Sequence, residues 1–88
     1  MRAGEAIRAA KQQLAEITGL RAETVSGIDR NGDAGWVVRV EALELSRVPD
    51  TMDVLGSYEV TLDGDGELEG FRRCRRYHRG AIEDGQGG

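Results

Sequence analysis

The spacing of apolar residues changes once along the chain, at Gly19. Residues 5–18, which precede it, have the periodicity of an amphipathic helix. Their apolar face is formed by Ile7, Ala10, Leu14 and Ile17. Gly19 suits the left-handed position that ends a helix, and Leu20 would complete the hydrophobic contact of that cap. After Gly19 apolar and polar residues alternate, so the rest of the chain predicts β-strands.

The alternating part of the chain divides into four predicted strands, at residues 22–29, 35–45, 53–62 and 67–79. Asn31 and Gly32 predict a type I′ hairpin turn after the first strand. A connection around Pro49 follows the second strand, and a turn at residues 63–66 follows the third. The apolar faces of the two middle strands are predicted to contain Trp36, Val38, Val40 and Ala42, and Val54, Tyr58, Val60 and Leu62.

These elements predict an α+β fold in which the N-terminal amphipathic helix packs on a four-stranded antiparallel β-meander. A chain of 88 residues holds one domain, so the single helix must cover one face of the sheet. We expect this domain to span residues 1–80, with a flexible Gly-rich tail at 81–88. In the fourth strand, the parity of Leu68 and Phe71 predicts a β-bulge near Gly70.

The residues that catalysis or metal binding would need are scarce. The chain contains one cysteine and one histidine, so it lacks the ligands for a structural zinc site or an internal disulfide. The acidic turns at 29–33 and 63–67 lack the remaining ligands of a calcium-binding loop. Cys74 and His78 would lie about 13 Å apart along a strand, beyond hydrogen-bond reach. The sequence therefore predicts no enzyme, no metal and no cofactor.

The compartment follows from two further features of the sequence. No apolar run approaches the roughly 18–20 residues that a membrane-spanning helix needs. The first residues contain no apolar stretch of the kind that a secretory signal carries. We therefore expect a cytoplasmic protein that does not enter the membrane.

Positive charge is concentrated near the C-terminus. Residues 71–80 contain five of the 12 basic residues and no acid, whereas the rest of the chain contains all 16 acids. Because arginines would point to both faces, we expect this strand to form a sheet edge. Alternation places Phe71, Arg73, Arg75, Tyr77 and Arg79 on one face and Arg72, Cys74, Arg76 and His78 on the other. The candidate partner-binding residues are Arg72, Arg73, Arg75, Arg76, Tyr77 and Arg79.

Three interpretations of this strand are open from the residues. The arginines would protect the edge and pair with acids such as Glu59 on the neighbouring strand. Alternatively, arginine and tyrosine would form a contact surface for a protein or another anionic partner. Thirdly, arginines interleaved with Phe71 and Tyr77 would hold single-stranded nucleic acid, although the net charge of −4 disfavours this interpretation. An uncovered edge would also suit self-association.

The third and fourth strands resemble a known family. Val48 to Val60 reads Val-Pro-Asp-Thr-Met-Asp-Val-Leu-Gly-Ser-Tyr-Glu-Val, and Phe71 to Gly80 reads Phe-Arg-Arg-Cys-Arg-Arg-Tyr-His-Arg-Gly. Together these segments are similar to the gas vesicle protein O family, of the actinobacterial type, and the resemblance covers about residues 5–80. It implies a cytosolic accessory protein of gas vesicles, without known catalytic residues or a cofactor. Both assembly and regulation of expression are roles considered for the family.

The resemblance and the residues together predict a non-enzymatic accessory protein for gas vesicle assembly. Its partners would be other gas vesicle proteins, shell or accessory, which it would contact through the arginine-rich C-terminal strand. Association with the vesicle itself would follow from that contact. The alternative function is a nucleic-acid-binding regulator of gas vesicle gene expression.

Overall fold

A computed structural model describes residues 1–81 as one α-helix, one short 3₁₀ helix (Asp50–Met52) and one sheet. The helix is α1 (Ala3–Thr18), and the strands are β1 (Arg21–Asn31), β2 (Gly35–Leu45), β3 (Val54–Leu62) and β4 (Leu68–His78). All strand pairs are antiparallel, and the strand order is β1-β2-β3-β4. The predicted α+β meander is therefore confirmed. The predicted flexible tail lies, apart from Ala81, outside the described residues.

The helix begins two residues earlier than predicted and ends where predicted. The carboxylate of Glu5 accepts a hydrogen bond from the backbone N–H of Arg2 at 2.8 Å, which satisfies a donor at the helix start. Gly19 adopts φ 74°, the left-handed conformation expected of a helix-ending glycine. Ile17, which the periodicity places on the apolar face of the helix, is 57% exposed and does not pack on the sheet. Its helical position matches the apolar face, but the last turn of α1 lies beyond the packed core.

The core lies between α1 and one face of the two central strands. Three residues of α1, Ala6, Ala10 and Leu14, are fully buried there. The alternate residues of β2 and β3 that face them are Trp36, Val38, Val40, Ala42, Tyr58, Val60 and Leu62. Alanine at two of the three helix positions allows a close approach between helix and sheet, so a small domain reaches full burial with few large side chains. The predicted apolar faces of these strands are confirmed for these residues, and Val54, predicted on the same face of β3, is buried but lies outside this core cluster.

Of the two tight turns predicted from the sequence, one is confirmed and the other is wrong. The predicted type I′ turn at Asn31-Gly32 is wrong. Of these two residues only Gly32 has a positive φ, at 69°, and the loop extends over residues 32–34. The second turn follows the prediction, with Gly66 at φ 84°. In that turn, Oδ1 of Asp63 accepts hydrogen bonds from the backbone N–H groups of Asp65 and Glu67. Turn chemistry thus depends on side-chain capping as well as on glycine.

Gln13 attaches the helix to this second turn. Its Nε2 donates to the carbonyl of Gly66 at 2.6 Å, and its Oε1 accepts from the N–H of Leu68 at 2.9 Å. One amide side chain therefore satisfies two backbone groups where β4 begins. The start of β4 is held against α1 by these bonds.

Two β-bulges interrupt the pairing of β4 with β3. The first lies at Glu69, next to Gly70, as predicted. The second lies at Cys74, where the register passes from Arg73 to Arg75 with one extra residue. An extra residue reverses the alternation of side chains beyond it. The faces predicted for the arginines are consequently wrong for the second half of the strand.

Candidate functional site

The predicted partner-binding residues all lie on or directly after β4, the outer strand of the sheet. The predicted edge position is therefore confirmed. The bulge at Cys74 places Arg73 and Arg76 on the helix-side face, opposite Tyr58 and Gly56. The opposite face presents Arg72, Arg75 and Tyr77. The two faces of β4 thus carry separate clusters rather than one arginine surface.

On the helix-side face, Arg73 and Arg76 converge on the carboxylate of Glu44. Nη1 of Arg73 and Nε of Arg76 lie 3.2 Å and 3.1 Å from its oxygens. The hydroxyl of Tyr58 donates to the same carboxylate at 2.6 Å. The Glu44 side chain is only 8% exposed, so two cations and one hydroxyl satisfy an otherwise costly buried charge. We call these residues the Glu44 cluster. Burial and the Glu44 carboxylate raise the pKa of Tyr58.

On the opposite face, three hydroxyls converge on the carboxylate of Glu41. Those of Ser26 and Tyr77 donate to it at 2.6 Å each, and that of Ser57 donates to it as well. The guanidinium of Arg75 lies 4.5 Å from the centre of the Tyr77 ring, in cation–π geometry. We call these residues the Glu41 cluster.

The hydrogen bonds of the Glu41 cluster shift the pKa values of two of its members. Burial alone would raise the pKa of Glu41, but the three hydroxyls and the charge of Arg75 together lower it below its usual value. Burial and the hydrogen bond to Glu41 raise the pKa of Tyr77 to about 12. The carboxylate therefore stays ionised and the phenol stays protonated at neutral pH.

Arg72, farther along the same face, pairs with Glu59 of β3 at 3.2 Å. Arg39 of β2 approaches the other oxygen of Glu59 at 3.6 Å. The pairing with Glu59 that the sequence suggested is therefore present. Because Glu59 has two cationic neighbours, it keeps one when Arg72 is removed.

Arg79, just after β4, connects the two edges of the sheet. Its guanidinium binds both oxygens of Glu23 in β1, at 3.0 Å and 2.8 Å, and Nε donates to Asp53 at 3.0 Å. The hydrogen bond from the backbone N–H of Arg47, followed by that from Arg79, lowers the pKa of Asp53. Binding to Glu23 and Asp53 in turn raises the pKa of Arg79. Glu23 is the extra residue of a β-bulge in β1, between Ala22 and Thr24.

The carboxylates that organise β4 were not identified as site residues from the sequence. Alternation did place Glu41 on the polar face of the second strand, which was the available signal for its cluster. No such signal existed for Glu44 or Glu23. Each is the extra residue of a bulge, Glu44 in β2 and Glu23 in β1, and alternation does not mark such residues.

Three further features of residues 1–81 concern metal sites, the lone cysteine and histidine, and membrane spans. Within that range no group of His, Cys, Asp and Glu side chains is arranged to hold a metal ion. Cys74 and His78 are both exposed. None of the helices described there is long and apolar enough to cross a membrane. What β4 offers chemically is a set of oriented hydrogen-bond donors at an open sheet edge.

Comparison with known proteins identifies relatives that are all gas vesicle proteins. A family model described as "Gas vesicle synthesis protein GvpO" matches residues 1–83. A gas vesicle protein O from Streptomyces sp. (strain CB03234) is 61% identical over 77 residues, which are 88% of this chain and 59% of that protein. Gas vesicle protein O1 of Halobacterium salinarum is 44% identical over 54 residues, 61% of this chain and 45% of that protein.

A further relative, gas vesicle protein O of Haloferax mediterranei, is 46% identical over 54 residues, 61% of this chain and 38% of that protein. The chain thus spans less than two thirds of the length of each of these relatives. No solved structure matches the chain.

Proposed function

Since the chain belongs to the GvpO family of gas vesicle synthesis proteins, we propose that it is a non-enzymatic accessory protein for gas vesicle assembly. It acts in the cytoplasm and binds other gas vesicle proteins through β4. The family description refers to synthesis of the vesicle and not to a chemical reaction. A binding role accounts for this description without a catalytic step.

The observation that carries the binding role is the exposure of arginines that are already fixed in position. The side chains of Arg72, Arg73 and Arg76 are 71%, 46% and 54% exposed, although each contacts a carboxylate. A guanidinium has five N–H donors, so one or two bonds to Glu59 or Glu44 leave donors for a partner. Binding by side chains that are already ordered loses less conformational entropy.

The two faces of β4 would recognise a partner differently. Arg75 stacks on Tyr77, whose hydroxyl is anchored by Glu41, and rigid Arg and Tyr side chains are frequent in energetically important contacts. Arg73 and Arg76 are about half exposed and keep donors that are not bound to Glu44. Carboxylates or backbone carbonyls of another gas vesicle protein are the acceptors that fit these donors.

Regulation through nucleic acid is the second candidate, and the geometry of β4 favours it less. Phe71 and Tyr77 lie on opposite faces of the strand, so they do not form one stacking surface. One side of the Tyr77 ring is already covered by Arg75. Single-stranded binding sites rely on successive bases stacking along one side of the protein.

The test compares two variants with the same change in charge. The variant Arg72→Ser/Arg76→Ser removes two β4 cations but leaves Glu59 with Arg39 and Glu44 with Arg73. Its control, Arg39→Ser/Arg47→Ser, removes one cation from the internal strand β2 and one from the loop before β3. Each gene replaces the wild type in a vesicle-forming host. Cell buoyancy, capture of the other gas vesicle proteins and shell-protein transcript are measured together.

We expect the β4 variant to lose partner capture and vesicles while transcript stays normal, and the control to retain all three. If the β4 variant also lost shell-protein transcript, the assembly role would be rejected in favour of the regulatory role. Equal partner capture by the wild type and the β4 variant would refute β4 as the contact. Normal vesicles after complete omission of the gene would refute the accessory function itself.

A further inference from the structure

We propose that a groove between α1 and β1 binds a short segment of another protein, and that this segment contains both acidic and apolar side chains. The groove is far from β4 in the strand order. This inference goes beyond the proposed contact through β4 and does not depend on it. The groove is shallow and widely open to solvent, and its volume is about 540 Å³. It is lined by Arg8, Lys11, Gln12, Ala15, Leu20, Arg21 and Ala22.

The lining of the groove contains three cationic residues and no acid. Arg8 and Arg21 form no ion pair with any residue of 1–81. The ammonium of Lys11 donates to the backbone carbonyl of Glu23 at 3.4 Å, so its charge is not neutralised by a carboxylate. This is the reverse of β4, where acids from other strands pair with most of the arginines.

Two acids, Glu16 and Glu23, contact residues that line the groove, but neither lines it itself. The carboxylate of Glu23 is held by both terminal nitrogens of Arg79. Glu16 accepts a hydrogen bond from Gln12 and does not itself line the groove. An acidic ligand would therefore contact unneutralised positive charge on both walls of the groove. One wall is formed by α1 and the other by the start of β1.

The apolar part of the lining favours a peptide over a polyanion. Ala15 on α1, and Leu20 and Ala22 on either side of Arg21, offer surface for small apolar side chains. None of the residues that line the groove is aromatic, so it offers no ring on which a nucleic-acid base could stack. A segment that combines Glu or Asp with Leu or Ala matches both features. Its charges interact mainly with the groove, because salt screens the acidic remainder of the chain beyond about 10 Å.

The experiment measures binding of a short fluorescein-labelled peptide of Glu and Leu residues to the purified chain by fluorescence anisotropy. A matched peptide with Gln in place of Glu tests the need for charge, and a labelled oligothymidylate tests nucleic acid. Arg8→Glu/Arg21→Glu reverses two groove charges. The control Arg2→Glu/Arg47→Glu makes the same change in net charge at two residues outside the groove. Amide shifts of the ¹⁵N-labelled wild type locate the bound peptide.

We expect the groove variant to weaken peptide binding by at least about tenfold. It replaces two solvent-exposed attractions between arginine and the acidic peptide with two repulsions. The control and Arg72→Ser/Arg76→Ser retain the wild-type affinity, and amide shifts concentrate at residues 8–15 and 20–22. Equal weakening by the control, equal binding of the Gln peptide, or shifts centred on β4 would overturn the proposal. Tighter binding of oligothymidylate that the groove variant abolishes would reassign the groove to nucleic acid.

Discussion

Replacing Glu44 by Gln tests whether β4 is held to the sheet by charge. The substitution preserves the shape of the side chain and one carbonyl oxygen, which can still accept from Tyr58. It removes the negative charge and places an amide N–H₂ next to the guanidinium groups of Arg73 and Arg76. Glu59→Gln is the matched control, because Glu59 also contacts two arginines but its side chain is 28% rather than 8% exposed.

The size of the effect follows from this difference in burial. The two arginines that contact Glu44 are about half exposed, so losing both ion pairs costs about 1 kcal/mol in total. A buried donor without an acceptor adds about 1–3 kcal/mol, because the site admits little water. We therefore expect Glu44→Gln to lower the free energy of unfolding by about 2–4 kcal/mol. Glu59→Gln, in contact with solvent, should cost at most about 1 kcal/mol.

Urea unfolding followed by the fluorescence of Trp36 measures both values, since this residue is the single tryptophan and is 7% exposed in the fold. The wild type and both variants should show the same denaturant slope, so that the shift in midpoint reports stability alone. If Glu44→Gln costs no more than Glu59→Gln, or less than about 0.5 kcal/mol, the charge of Glu44 is not what holds β4 in place.

Two further predictions concern single positions near these clusters. A Cβ at Gly56 would overlap the carboxylate of Glu44, so Gly56→Ala should destabilise by about 1–3 kcal/mol, whereas Gly70→Ala, with no heavy atom within 4 Å of its added Cβ, should not. Equal urea midpoints for the two variants would contradict this. The pKa of Tyr77 is raised from 10.0 to about 12, so its contribution to stability is complete below pH 10 and is lost as the pH rises through 12. Tyr77→Phe should flatten this alkaline loss in the wild-type stability profile, and parallel profiles would refute the role of Glu41 as its acceptor.

The architecture could be predicted from the sequence because its determinants are local. The helix stop needs only Gly19, and the strand order of a meander follows from short connections between consecutive strands. The inward residues of β2 were predicted because alternation over Trp36 to Ala42 contains no interruption. The bulge near Gly70 was predicted because Leu68 and Phe71 violate alternation.

The organisation of the site depends on features that have no local signal. Nothing in the run Arg72 to Arg76 marks Cys74 as the extra residue of a bulge, yet this residue decides which face each following arginine occupies. Glu44 lies in a similar irregularity of β2. Ile17 has the right helical angle, but the extent of the sheet beneath the last turn is a property of the whole fold.

These observations explain why local charge in the sequence is a poor guide to charge on the surface. The arginines of β4 are adjacent in the chain, but strand pairing brings Glu44 and Glu59 to them from β2 and β3. The cations of the groove are separated in the chain, and they converge because α1 folds back along β1. Arg79 joins the two regions, since its bond to Glu23 engages an acid that could otherwise neutralise Lys11. The surface with the most arginines therefore offers oriented donors, whereas unneutralised positive charge lies in the groove.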